Sequence, residues 1–217
     1  MAVAALVLLV AGCAMSFYWV PNDADQGFSQ RIFYIHVPAA ITAYCCFFWG
    51  AWKALRLLWK GDDRYDLESY TAIHMGTIWG ILTLVTGSIW AKISWGIWWT
   101  WGERQLVLFL ILFLFYSAYF MLRYSVDRGP RQARMSAVYA LFGVVLIPIS
   151  FFAIRLAESF IHPVVFTREG PQMTGDMFLT FLVVFAGQLC LFGALYQTEL
   201  AGKRVDRRLK ELRKALS

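Results

Sequence analysis

Apolar residues in this chain come in long runs, not in the alternation of a soluble fold. Six stretches, about 1–20, 34–54, 70–91, 105–123, 135–156 and 177–198, approach the roughly 20 residues that a helix needs to cross a bilayer. In lipid the backbone polar groups must be satisfied within the segment, so each run predicts a helix. The pattern predicts an all-α integral membrane protein. It has six transmembrane helices in one polytopic domain over 1–217, a tail at 199–217 and a tryptophan-rich interfacial segment between spans 3 and 4.

Polar residues are confined to the connections. Lys53, Arg56, Lys60 and Arg64 fall in one; Arg123, Arg128, Arg131 and Arg134 fall in another. The tail adds Lys203, Arg204, Arg207, Arg208, Lys210, Arg213 and Lys214, whereas the alternate segments hold only Arg31, Lys92, Arg104, Arg155 and Arg168. By the positive-inside rule both termini are expected in the cytoplasm, with 21–33, 92–104 and 157–176 facing outward. The tail reads as a short amphipathic helix on the membrane surface or a partner, or as a solvated topology signal. Val10–Cys13 loosely resembles a lipoprotein cleavage site, but no basic region precedes it and five further spans follow.

Composition agrees with this reading. Residues are 59% hydrophobic and 16% charged, too few charges for a soluble surface. The net charge of +6 lies beside apolar runs, where it encodes topology, and nucleic acid is not an expected partner. Cys13, Cys45, Cys46 and Cys190 form neither C-x-x-C nor C-x-x-C-H, so redox pairing and covalent haem attachment are not indicated. They read as small packing residues.

The outward segments collect the unusual residues. Pro38 fits the first turn of a helix, so span 2 is expected to start near Val37 with His36 at its outer lip. His162 precedes Pro163, so span 5 is expected to end at or before it. Trp95–Gly102 reads W-G-I-W-W-T-W-G, four of the ten tryptophans in seven residues. Trp95, Trp98 and Trp99 are spaced i, i+3, i+4, as on one face of a short helix lying flat at the interface. His74 belongs to the opposite end of span 3 and reads as structural, or as hydrogen-bonded to a neighbouring helix.

Two ligand chemistries could use such a face. Zinc would need Glu103, Glu158 or Asp176 beside the two histidines, and no H-x-x-x-H spacing supports it. Haem needs axial imidazoles, aromatic walls and cations for its propionates, which Arg31, Lys92, Arg104 and Arg168 could supply. A lone interfacial histidine is more often amphipathic filler, and interfacial tryptophan is usually an anchor. Chemistry alone leaves a porphyrin shelf and pure anchoring as equal readings.

R-I-F-Y-I-H-V-P-A-A (31–40), L-V-T-G-S-I-W-A-K-I-S-W-G-I-W-W-T-W (84–101) and the run from I-P-I-S into S-F-I-H-P (147–163) resemble the CcmC/CcmF/CcsA family of haem-handling proteins of cytochrome c maturation. The likeness is closest to the CcmC branch and covers nearly the whole chain; CcsA/ResC chains are usually larger. It implies that His36 and His162 ligate the iron of a non-covalent, transient haem b. It also implies that Trp95, Gly96, Trp98, Trp99 and Trp101 form the haem-binding segment, with Trp98, Trp99, Trp101 and Glu103 toward the chaperone. The implied partners are the haem chaperone CcmE and, in an ABC-type complex of the bacterial inner membrane, CcmA, CcmB and CcmD. The implied role is presentation of haem at the periplasmic face, without catalysis. This chain has no G-x-x-x-x-G-K-[ST], so any ATP hydrolysis falls to a partner. The family signature usually ends W-x-W-D, whereas Gly102 follows Trp101 here, with Glu103 one residue later. A through-membrane transporter, which would need polar residues lining its spans, and a structural subunit with tryptophan anchors are the alternatives.

Overall fold

The computed structural model describes residues 1–24, 26–156, 165–167 and 170–216. Six helices are long and apolar enough to cross a membrane. Helix α1 spans Ala2–Ala14 and runs on through a π-helical turn at Met15–Trp19. A 3₁₀ turn at Phe28–Ile32 leads into α2, Phe33–Lys60. Helices α3 (Arg64–Trp95), α4 (Arg104–Ser125) and α5 (Pro130–Leu156) follow. A two-residue antiparallel ladder, β1 (Phe166–Thr167) with β2 (Gly170–Pro171), precedes α6, Gly175–Leu216.

Two helix pairs organise the bundle. Along α2 the residues Ala39, Ala43, Cys46, Gly50 and Ala54 form one stripe of small side chains, all buried. Such a stripe lets backbones approach closely where lipid supplies no hydrophobic drive between helices. A Cβ on Gly50 would lie 2.7 Å from Ile73 Cγ1, and one on Gly76 would lie 2.6 Å from the Phe47 ring. Helix α1 pairs with α6 in the same way: a Cβ on Gly12 would collide with Val184 Cγ2, and one on Gly187 would lie 3.0 Å from Leu9. Cys46 is fully buried in the α2 stripe, and all four cysteines are unpaired. Many large apolar side chains are exposed on the outside, among them Leu6, Phe48, Ile81, Leu114 and Phe142. That is the expected surface of a bundle whose solvent is hydrocarbon.

Two expectations about helix ends change. Helix α2 does not begin near Val37; it starts at Phe33, with Pro38 inside it. The 3₁₀ turn and the buried bond from Gln30 Nε2 to Tyr34 Oη (3.0 Å) pre-form the turn before the proline. Pro38 is therefore the sixth residue of the helix, past the first turn, and it forgoes the i−4 bond to the Tyr34 carbonyl. Nor is the tail a separate surface helix: α6 is one unbroken helix of 42 residues. At 1.5 Å per residue it is roughly 63 Å long, about twice the hydrocarbon thickness, so its last turns project beyond the bundle.

The basic connections also pair helix ends. Arg123 on α4 grips Asp66 on α3 through two bonds of 2.8 and 2.6 Å. Glu68 on α3 is ion-paired with Lys53 on α2 (2.9 Å) and accepts from Arg204 on α6 (3.1 Å). His74 Nδ1 lies 2.9 Å from Glu199 on α6, which also meets Lys203 at 2.8 Å. His74 is thus tied to a neighbouring helix, at the end of the bundle opposite Trp95.

Candidate functional site

His36 is the fourth residue of α2 and faces α3. Its Nδ1 lies 3.0 Å from Thr86 Oγ1. Thr86 gives its own proton to the Leu82 carbonyl, 2.7 Å away, an i−4 bond within α3. With its proton on that carbonyl, the Thr86 oxygen can accept from Nδ1, the arrangement that puts the imidazole proton on Nδ1. In the neutral ring Nε2 then holds the lone pair that a metal would take. Gly87 makes room for the ring: a Cβ there would lie 2.8 Å from His36 Cε1. Threonine and glycine side by side on α3 thus orient this imidazole and set its position. Such orienting partners are characteristic of metal-binding histidines.

His36 lines a half-open cavity of about 130 Å³ between the start of α2, the end of α3 and the segment leading into α6. Phe33, Val37, Trp90, Val165, Met173 and Met177 supply its apolar walls. Gln26 and Gln30 add amides, and Asp23 adds a carboxylate. Trp90 is held there by a bond from its Nε1 to Gln26 Oε1, 3.2 Å, and packs edge-on against Trp95 at 5.0 Å between ring centroids. The enclosed part is smaller than a typical small-molecule pocket of about 300–1,000 Å³. A macrocycle with an edge in it would remain partly open to the outside.

The tryptophan segment is not the flat helix expected from its spacing. Helix α3 ends at Trp95, because Gly96 takes a left-handed conformation, φ 76°, and its N–H closes on the Lys92 carbonyl. Such a C-terminal cap stops a helix and suits glycine best among common residues. Bends and a turn follow through Gly102. Trp98 and Trp101 are 59% and 73% exposed, whereas Trp95 and Trp99 are half-buried. Trp99 stacks edge-on with Trp101 at 5.7 Å. The indoles therefore form two pairs, Trp90 with Trp95 and Trp99 with Trp101.

The charged residues fall out differently. Arg31 donates to the backbone carbonyls of Ser16 and Val20 and to Asn22 Oδ1, fastening the end of α1 to the start of α2. Lys92 donates to the Gly96 carbonyl at 2.8 Å, and Arg104 is exposed at the start of α4. Glu103, expected as an interfacial carboxylate, is the residue that precedes α4 and is only 6% exposed. Gly102 has space: a Cβ on it would find Thr100 Oγ1 at 3.6 Å, an ordinary contact. His162, Glu158 and Arg168 lie outside the described residues. Asp176 opens α6. Among the described residues no group of three or more His, Cys, Asp or Glu could hold a metal ion.

Sequence reasoning missed Trp90, Thr86, Gly87, Gln26 and the two methionines. Trp90 could have been found, because it lies five residues before Trp95 on an α3 that had to end at a glycine. Gln26 and Met173 carry no local signal, since only the fold brings their segments together.

A family model described as "Heme exporter protein C" matches residues 1–215. The heme exporter protein C of Bradyrhizobium diazoefficiens is 32% identical over 216 residues, 98% of this chain and 80% of that protein. That of Rhodobacter capsulatus is 31% identical over 215 residues, 97% of this chain and 88% of its own length. The Escherichia coli K12 protein is 34% identical over 156 residues, 71% of this chain and 63% of its own. With six membrane-capable helices and a family match along almost its whole length, the chain belongs to the heme exporter protein C (CcmC) family.

Proposed function

We propose that this chain binds haem at the end of the bundle that carries His36 and Trp95, and delivers it to the haem chaperone CcmE during cytochrome c maturation. The observation that supports this best is the His36 imidazole, oriented by Thr86 and backed by Gly87, on the wall of a cavity shared with Trp90. The relatives' name, heme exporter protein C, points to the same cargo. His36 and His162 act as axial ligands of a haem b held without covalent attachment. Trp95, Trp99 and Trp90 support the porphyrin, while the exposed Trp98 and Trp101 offer indole faces to the chaperone. Lys92, Arg104 and Arg168 serve the propionates, because Arg31 already holds the end of α1.

Two ligands and aromatic contact without a covalent bond suit a protein that must release its cargo. The site faces the periplasm when the basic end, with both termini, faces the cytoplasm of an inner-membrane protein. The chain is a binding and delivery subunit without catalysis of its own, and CcmA, CcmB and CcmD complete the assembly. Absorption spectra of the membrane-extracted protein test this reading. The wild type is expected to show a Soret band that falls strongly in the His36→Ala/His162→Ala double variant. Full retention of the band would sink the ligand assignment.

A further inference from the structure

A second cavity, of about 610 Å³, lies beside the first in the seam between the α1–α6 pair and the α2–α3 pair. It stretches along α3 from Ile78 to Ile93, about 22 Å at the helical rise, and so stays within the hydrocarbon thickness. Its walls are almost wholly apolar, and several of them, Phe17, Ile78, Leu82 and Ile93 included, are exposed on the side of the bundle. The seam therefore opens toward lipid. Its inner wall is closed by Gln188, whose amide is spent on Trp79 Nε1 (3.1 Å) and the Ile35 carbonyl (3.2 Å).

Two features connect this cleft with the His36 cavity. Ile32 lines both. Its neighbour Arg31 lines the cleft at the same end, with its two terminal nitrogens held by the carbonyls of Ser16 and Val20 and by Asn22. Among the described residues, Arg31 Nε is buried with no hydrogen-bond partner. An apolar slot open to lipid, with a cation at the end that joins it to an imidazole cavity, matches a flat hydrophobic ligand carrying carboxylates on one edge.

We propose that this cleft is the lateral route by which haem dissolved in the bilayer reaches His36, a step that rests on the haem-binding reading above. The macrocycle slides between α1 and α3 with its apolar body in the slot, where burial of its faces is favourable. Its propionates stay at the polar end, as charged groups in a membrane do, and the charge of Arg31 attracts them past Ile32 while its terminal nitrogens keep their bonds to the end of α1. No bond is made or broken in the cleft.

The test uses the full chain reconstituted in vesicles, with haem supplied in a second population of phosphatidylcholine vesicles. Ile78→Trp and Leu82→Trp narrow the cleft from its exposed wall, and Ile111→Trp on α4 is the control for an added indole facing lipid. The narrowed variants are expected to load at least ten times more slowly than wild type. They should still reach the wild-type Soret amplitude at equilibrium, with the thermal midpoint of the empty protein unchanged, and Ile111→Trp should load normally. Loading at the wild-type rate in both narrowed variants overturns the route alone, and would leave lipid chains or a partner's helix as what fills the seam. Amplitude lost in proportion to rate also overturns it, since the cleft would then be the binding surface itself. Absence of a Soret band in the wild type would overturn the haem reading, and the route with it.

Discussion

His36 on α2 and Thr86 on α3 are 50 residues apart in sequence and 3.0 Å apart in space. The direction of that bond follows from the Thr86 proton being committed to Leu82. Replacing Thr86 with valine keeps the shape and removes the acceptor. Haem affinity is expected to fall by about 10- to 100-fold, the usual effect of losing a partner that orients a metal ligand. Haem titration followed at the Soret band measures it, and unchanged affinity would show that the hydroxyl does not set the tautomer.

Gly87→Ala acts on the same ring by volume. Its Cβ would meet His36 Cε1 at 2.8 Å, so the imidazole must move. Haem content should fall while helical content is retained by circular dichroism. Gly102→Ala, whose Cβ meets only an ordinary contact at 3.6 Å, should leave the band intact. Equal spectra for the two variants would refute the close fit.

Gly102→Asp introduces the carboxylate that the family signature has after its last tryptophan. The backbone there is open enough to accept it, and Glu103 is turned inward. Haem content of the purified variant should match wild type, and the amount of haem captured by CcmE in a coupled assay should rise. No change in transfer would mean that the carboxylate is dispensable in this chain.

Arg123 and Asp66 form the best-protected ion pair of the basic end, with Arg123 only 9% exposed. Removing one partner strands a charge, so Arg123→Met should destabilise by about 3–5 kcal/mol, and Arg123→Met with Asp66→Leu should recover much of that loss. Denaturation of the detergent-solubilised protein reads both. Additive losses would show that the two residues do not act as a pair.

His74→Ala tests whether the third histidine has any part in haem. It removes the bond to Glu199 at the far end of the bundle from Trp95, and a partly exposed hydrogen bond of this kind contributes about 1 kcal/mol. The Soret band should be unchanged and the thermal midpoint slightly lower. Loss of the band in this variant alone would refute the structural role of His74.

The membrane core was readable because six apolar runs have only one way to satisfy their backbones. Where each helix stops was less readable, because the stops depend on contacts distant in sequence. Lys53, Arg123 and Arg204 look like topology marks along the chain, yet each meets a carboxylate on another helix, so α2, α3 and α6 continue past the apolar boundary. His36 was singled out from its motif, but its partner Thr86 and the space left by Gly87 belong to the α2–α3 packing. The indole face inferred from Trp95, Trp98 and Trp99 assumed continued helical geometry, and a single positive φ at Gly96 ends the helix before that face can form.

Helix α6 has a mechanical consequence. Near one end it carries Met177, on the wall of the His36 cavity; toward the other it carries Glu199 and Arg204, clasped to His74 and Glu68. A single unbroken rod pinned at both places behaves as a lever. The cavity wall at Met177 and the ion pair at Arg204 therefore share one rigid body, about 40 Å apart along a single helix axis.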